Sequence, residues 1–333
     1  MKISAMAAAQ RGAALQPCEY DAGNLGPHDC LIEVAACGLC HSDIHMIDDD
    51  WRISSYPLVP GHEIIGRVEE TGSSVKHVKR GERIGIGWQR SSCLQCDDCL
   101  RGDENLCDGN QGVISHGHGG FAERLVMDSR FLFPIPEGIT TDVAGPLLCG
   151  GITVFAALRT AGMTSGQRVG VIGVGGLGHL AVQFAAKLGN WVTVFTTSDD
   201  KAEFAARLGA HEAVVVAGDE PPRSSRRLDI LLNTAPANLD WAAYLKLLDS
   251  DGTLTFVALP STAMQLPVEL LLFKRRRVMA SPIGGRALMR DMLRTADTFG
   301  VVPLIEKFPL GEINTAIRKV RENTVRYRAV LMP

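Results

Sequence analysis

The sequence predicts an α/β protein in two parts: a β-rich unit, then a doubly wound parallel sheet covered by helices. Three observations predict it. Residues 1–147 carry short β-branched runs between glycines and turn residues, the texture of an all-β unit. From Arg168 to Ser281, six short apolar runs mostly alternate with stretches of helical spacing, which is how a buried parallel sheet reads. The length of 333 residues suits two domains at roughly 150 residues each.

The elements follow in order. The opening MKISAMAAAQ meets Arg11 and is too short and interrupted for a signal peptide. LIEVAACG from Leu31 and IIGRVEETG from Ile64 read as strands. Gln89–His118 is poor in apolar residues and rich in Cys, Asp and Gly; it reads as a loop that cannot pack a core of its own. RVGVIG from Arg168 is a buried strand, LGHLAVQFAAKLG a helix, WVTVFT a strand and DKAEFAARLGA a helix. Val214–Val216, LDILLN, GTLTFVAL and RVMAS supply the remaining strands. Gly218–Arg227 reads as a polar surface loop and Lys274–Arg277 as a solvated helix end. Beyond Gly285 come two helical segments and a strand-like YRAVLM that is expected to rejoin the first unit. The expected divisions are 1–147, 148–284 and 285–333.

Composition narrows the function. Net charge is −3, so no basic excess exists to hold a nucleic-acid backbone or an anionic membrane. No run of 18 or more apolar residues occurs, which argues against a membrane span. The expected location is the cytoplasm. Nine cysteines are present, and clustered cysteines in a cytosolic chain point to metal before disulfide. Cys18, Cys30 and Cys37 stand apart from the clusters and read as small buried hydrophobes.

Gly173-Val174-Gly175-Gly176-Leu177-Gly178 matches G-x-G-x-x-G between a strand and a helix, the setting that a dinucleotide-binding turn requires. Gly173 permits the tight turn, Gly175 admits the pyrophosphate, and Gly178 lets helix and strand pack closely. The helix N-terminus then offers N–H groups to the anion. Where an NAD site places a carboxylate at the end of the second strand, this chain has Thr196, Thr197 and Ser198, with Lys201 beyond. Hydroxyls and a cation suit a 2′-phosphate, so NADPH is preferred and NADH remains open. Asp199 and Asp200 complicate this; their bland role is to start the next helix.

Cys93, Cys96, Cys99 and Cys107 give C-x2-C-x2-C-x7-C. Four thiolates so spaced close a tetrahedron around Zn2+ with no open position, hence a structural site. An iron–sulfur cluster is the chemical rival. The acids Asp97, Asp98, Asp103, Glu104 and Asp108 around the cysteines disfavour a DNA-binding module.

Cys40 lies in CGLCHSDIHMID (Cys37–Asp48), and His62 in Gly61-His62-Glu63-Ile64-Ile65-Gly66, followed by Gly72 and Val75. Cys149 lies in GPLLCGGITVF. Spacing alone does not join these three. With VGVIGVGGLGH and the closing RYRAVLMP, however, the chain resembles, over essentially its whole length, the zinc-containing medium-chain dehydrogenases. It is most similar to the cinnamyl-alcohol-dehydrogenase-like group and its bacterial broad-range aldehyde reductases.

The resemblance implies a GroES-like catalytic domain and a Rossmann cofactor domain. It implies Cys40, His62 and Cys149 as ligands of a catalytic zinc, with Glu63 an alternate or indirect ligand and Asp43 fixing the His62 tautomer. It implies that zinc polarises an aldehyde oxygen, that NADPH supplies hydride, and that Ser42 and His45 relay the proton. A hydroxyl both donates and accepts, and an imidazole titrates near neutrality. His41 is expected on the pyrophosphate, Thr153 on the nicotinamide, and Trp51, Trp88 and Ile283 around the substrate. An apolar lining favours aromatic or medium aliphatic aldehydes, and a homodimer joined at cofactor-domain sheet edges is implied. The rivals are a zinc-free quinone reductase, which would lack both cysteine sets, and a non-enzymatic zinc-stabilised binding protein, which would have lost a ligand or relay residue.

Overall fold

A computed structural model describes residues 1–216, 220–260 and 262–333. It contains two compact units. The first comprises Met1–Cys149, Gly284–Asp297 and Val302–Pro333; the second comprises Gly150–Ile283 and Thr298–Val301.

The first unit is organised on the long strand Asp29–Leu39. This strand pairs antiparallel with Glu63–Thr71 along one edge, and along the other with Arg124–Asp128 and Arg328–Met332. Arg83–Ile86 and Phe133–Pro134 extend the sheet on one side, Ile305–Pro309 on the other. Ile32, Ile64, Ile84, Phe121, Leu125 and Phe131 fill the main core, while Leu31 turns to a smaller one with Ile3, Ala5 and Val59. The strand is thus covered on both faces, which is why LIEVAACG is apolar almost throughout instead of alternating. The closing residues rejoin this sheet through Ala329–Leu331.

The second unit is a six-stranded, wholly parallel sheet. Its order is Glu212–Val215, Trp191–Thr196, Arg168–Ile172, Leu228–Asn233, Leu248–Phe256 and Arg277–Ala280. The chain starts in the middle, runs to one edge, then returns and runs to the other. The order therefore reverses beside Arg168–Ile172, where a doubly wound sheet opens its ligand crevice. The helix Gly178–Lys187 buries eight of its ten residues, which explains its apolar sequence.

Three expectations need correction or completion. Gln89–His118 is not loop throughout. It holds the strands Gln89–Ser91 and Gln111–Gly112, a helical turn Asp97–Arg101 and a 3-10 turn Glu104–Leu106, and Val113 and Ile114 are buried. Lys274–Arg277 does not end a helix: the helix stops at Leu272, and Arg277 begins the edge strand. Of the proposed loop Gly218–Arg227, Gly218 and Asp219 lie outside the described residues.

The continuous helical stretch Thr141–Thr160 is long and apolar enough to cross a bilayer, but 78% of its apolar window is buried inside the protein. It is a core helix. Its middle, Leu147–Gly151, widens to a π turn just after Pro146, and such turns recur at functional sites.

Candidate active site and metal centres

Cys40, His62, Glu63 and Cys149 converge, with one potential ligand atom of each lying within 4.8 Å of the others. Each comes from a break in regular structure. Cys40 is the N-cap of the helix His41–Asp48, His62 and Glu63 lie where the strand Glu63–Thr71 begins, and Cys149 is in the π turn. The Cys40 and Cys149 sulfurs are 3.9 Å apart, and His62 Nε2 is 3.2 Å from Cys149 Sγ.

Asp43 organises this group. It is fully buried. One carboxylate oxygen accepts the Gly61 N–H and faces His62 Nδ1, each at 2.9 Å, and the other accepts the Cys40 N–H at 2.9 Å. With Nδ1–H donated to Asp43, the Nε2 lone pair is left facing the cysteines. In the metal-free chain, burial disfavours charge on His62, but Asp43 and Cys40 outweigh it and hold its pKa up at about 10. Cys40 is held well below the ordinary thiol range by its hydrogen bond with Cys149, which is correspondingly pushed well above it. A set that loses protons on binding metal is the expected chemistry of thiolate–imidazole sites.

The donor atoms fit zinc. A tetrahedron of ~2.3 Å Zn–S bonds has edges of about 3.8 Å, against the 3.9 Å between Cys40 and Cys149. Glu63 Oε1 is bonded to Arg328, while Oε2, also buried, has no hydrogen-bond partner. The sequence offered no role for Arg328; only its place in the closing motif pointed to it.

Cys93, Cys96, Cys99 and Cys107 form the second group, also within 4.8 Å of one another. Cys93 lies 3.9 Å from Cys99 and 3.5 Å from Cys107, again near tetrahedral edges. Backbone N–H groups of Gln95 and Cys96 lower the Cys93 thiol to about 6. Of the remaining cysteines, Cys30 and Cys37 are buried and Cys18 is half-buried.

The helix His41–Asp48 carries Ser42 and His45, the residues expected to relay the proton. Ser42 Oγ is 3.8 Å from Cys40 Sγ. His45, three residues on and so on the same helix face, is half-exposed with Nδ1 2.7 Å from Asp50 Oδ2. Sequence reasoning left Asp50 without a role; a carboxylate five residues past the histidine, just beyond the helix end, was the available signal. His41 is exposed at the helix start. Trp88 meets His62 edge to face at 5.2 Å, and Trp51 lies 5.9 Å from Trp88 and 5.3 Å from His45. The rings thus form one aromatic wall beside the ligand set. Ile283 and Thr153 belong to the second unit, Thr153 buried in the helix Ile152–Thr160.

In the second unit, Gly173 has φ +87°, and a β-carbon on Gly178 would lie 2.0 Å from the Gly173 carbonyl oxygen. Around Gly175 there is open space, and the residue is exposed. Gly176 and Leu177 complete the turn, with Leu177 the N-cap of the helix Gly178–Lys187. At the end of the neighbouring strand, Thr196 is buried, Ser198 is half-buried as the next N-cap, and Thr197 and Lys201 are exposed. Asp199 and Asp200 occupy that helix's first turn, as their bland reading requires.

Two family models match the chain: the alcohol dehydrogenase GroES-like domain at residues 26–137 and the zinc-binding dehydrogenase at residues 176–298. The chain is 40% identical over 330 residues to the aldehyde reductase AdhA of Synechocystis, covering 99% of this chain and 98% of that protein. It is 40% identical over 317 residues to the NADP-dependent alcohol dehydrogenase C of Mycobacterium bovis, covering 92% and 91%. Among solved structures, a cinnamyl alcohol dehydrogenase of Sorghum bicolor superposes with a TM-score of 0.93 at 35% identity, covering 100% of this chain and 98% of the other.

Proposed function

We infer the reaction from a plain premise: this chain belongs to the zinc-containing medium-chain alcohol dehydrogenases, in their cinnamyl-alcohol-dehydrogenase-like branch. It is an NADP-dependent alcohol dehydrogenase and aldehyde reductase with one catalytic and one structural zinc site. The observation that carries the reading is the convergence of Cys40, His62 and Cys149 around one point, with Asp43 orienting the histidine.

When bound, zinc supplies Lewis acidity toward the aldehyde oxygen and NADPH supplies the hydride. The balance is aldehyde, NADPH and one proton giving primary alcohol and NADP+. Cys40, His62 and Cys149 would hold the metal, and Cys93, Cys96, Cys99 and Cys107 the structural ion. Glu63 keeps a carboxylate oxygen among the catalytic ligands, its charge offset by Arg328. Ser42 Oγ gives its proton to the oxygen that gains charge during reduction. His45 exchanges that proton with solvent, oriented by Asp50. Gly173–Gly178 bind the pyrophosphate of the cofactor, with His41 and Thr153 as further cofactor contacts. Thr196, Thr197, Ser198 and Lys201 take the 2′-phosphate.

Trp88 and Trp51 wall the substrate side of the ligand set and favour aromatic and medium aliphatic aldehydes over polyhydroxylated ones. The deciding experiment is NADPH consumption by the zinc-loaded protein across an aldehyde panel, with NADH in parallel. Rapid NADPH oxidation with aromatic or aliphatic aldehydes supports the reading. A preference for sugars or polyols, or an NADH efficiency above that of NADPH, overturns the corresponding part.

None of the nine cysteines is in a disulfide, which supports a reducing compartment, the cytoplasm. The strand Arg277–Ala280 forms one edge of the parallel sheet, and the chain leading into it exposes Val268, Leu272 and Phe273, the last 80% exposed. An open strand edge beside so much apolar surface supports pairing with a second copy. Phe273→Glu is expected to convert a dimer to a monomer in light scattering; a wild-type monomer refutes the pairing.

A further inference from the structure

The four-cysteine loop is the closed end of a hairpin. It connects the strands Gln89–Ser91 and Gln111–Gly112, which pair antiparallel. Trp88 stands at the open end of that ladder, where its carbonyl accepts the Val113 N–H at 2.7 Å. The indole lies against Gly112, where a β-carbon would come within 3.1 Å of the ring. The loop therefore shares its backbone ladder with the ring that faces His62.

A second path reaches the same ring. The helix Arg286–Phe299 sets Met289 against Gly87, the residue before Trp88. A β-carbon on Gly87 would lie 3.2 Å from Met289 Cε and 2.6 Å from the carbonyl oxygen of Leu148, the residue before Cys149. Any shift of this helix is felt at the base of Trp88.

The two paths meet at Glu104, whose side chain is 3% exposed. One carboxylate oxygen accepts the Arg286 N–H at 2.9 Å and the other accepts Arg286 Nε at 2.7 Å. Arg286 also donates to the Arg130 carbonyl at 3.3 Å and stacks 5.3 Å over the Phe131 ring. Backbones touch here too: a β-carbon on Gly285 would lie 1.9 Å from the Gly102 carbonyl oxygen. Glu104 is not one of the four clustered cysteine ligands. Burying its charge is costly unless the partner stays in place.

We propose that the Glu104–Arg286 pair is a positioning clamp for substrate selection. It pins the four-cysteine loop to the start of the helix Arg286–Phe299 and so holds Trp88 at a fixed distance from His62. The clamp rests on the reading of Trp88 as a wall of the substrate site. An aromatic wall selects by shape only if its support is rigid. Among the described residues the two side chains bond to no metal ligand and no proton-handling residue, and the one link to a ligand, the Glu104 carbonyl accepting the Cys107 N–H at 3.3 Å, is backbone, so loss of the pair changes the choice among aldehydes and not the chemistry common to them.

The test compares wild type, Glu104→Gln, Arg286→Lys and Trp88→Ala, all zinc-loaded. The readouts are zinc per chain, kcat and KM for a bulky aromatic aldehyde and for acetaldehyde, and hydrogen exchange at the Val113 amide. Glu104→Gln is expected to keep both zinc ions and exchange Val113 faster. Its aromatic-over-acetaldehyde selectivity should move about tenfold toward that of Trp88→Ala, chiefly through KM, as a small misplacement of a binding group allows. Arg286→Lys, which keeps the cation, should lie between. Unchanged Val113 exchange, or equal losses for both aldehydes, overturns the clamp. If Trp88→Ala leaves selectivity unchanged, it is the reading of Trp88 that fails, and Val113 exchange then decides whether the clamp exists. Should Glu104→Gln not fold, Arg286→Lys carries the same readouts.

Discussion

Replacing Asp43 with asparagine tests the centre of the proposed catalytic site with a minimal change of shape. The native carboxylate makes three contacts of 2.9 Å while fully buried. Asparagine can keep its oxygen toward Gly61 N–H and His62 Nδ1, but its amide then meets the Cys40 N–H, donor against donor. One buried N–H is left without an acceptor, a cost of about 1–3 kcal/mol. The bond to His62 survives but loses its charge assistance, which is roughly half its strength. Loss of such an outer partner costs about 10–100-fold in metal affinity, or about 1.4–2.7 kcal/mol. The four-cysteine loop, with none of its ligands near Asp43, serves as an internal control. In a chelator titration, Asp43→Asn should release one zinc per chain 10–100 times more readily by the same estimate, and hold the other as wild type does. The reasoning is refuted if both ions leave together, or if neither is weakened and kcat/KM stays within about threefold of wild type.

Three further outcomes are expected. His45→Ala and Asp50→Asn should each slow turnover by about tenfold, less than the roughly 10²–10⁴ of a direct general acid, and added imidazole should restore His45→Ala; equal rates without rescue would remove both from proton transfer. Lys201→Ala should lower kcat/KM for NADPH by about tenfold or more, the worth of one charged hydrogen bond, and leave NADH unchanged; parallel losses would place the cation elsewhere. His179, buried at the start of the helix Gly178–Lys187, has its pKa lowered from 6.5 to about 4 by desolvation. The unfolded chain therefore binds the extra proton first, so stability is full above pH 6.5 and falls as pH drops toward 4. At ~1.36 kcal/mol per unit the loss approaches about 3 kcal/mol. His179→Asn should flatten that acid limb of the melting-temperature curve, and an unchanged limb would exclude this histidine as its source.

The second unit was legible because its central strands Arg168–Ile172, Trp191–Thr196 and Leu228–Asn233 are buried almost throughout and because glycines at positive φ, Gly173, Gly189 and Gly209, mark several of its turns. Periodicity and the Gly173–Gly178 motif are local signals, and they survive without knowledge of contacts. The first unit was harder to read. Gln89–Ser91 and Gln111–Gly112 are too short to show a period, and the loop between them is tied through Glu104 to a distant residue, Arg286. The helix Val268–Leu272 has five residues, and nothing in LLLFKRRRV marks where helix gives way to strand.

The proposed catalytic ligands escaped spacing analysis for a related reason. Cys40, His62 and Cys149 each sit where regular structure is interrupted: an N-cap, a strand start and a π turn. Those are the positions at which a side chain can be aimed independently of helix or strand period, and they are also where propensity carries least information. Only the surrounding motif, through the family resemblance, identified them in advance. By the same logic the residues missed altogether, Asp50 and Arg328, act by pairing with a site residue, His45 or Glu63. Each pairing exists only once the chain has folded: Asp50 lies just past the end of its helix, and Arg328 lies 265 residues from its partner. Motif reading finds the atoms that bind; the groups that orient and neutralise them are found by following each buried charge to its partner.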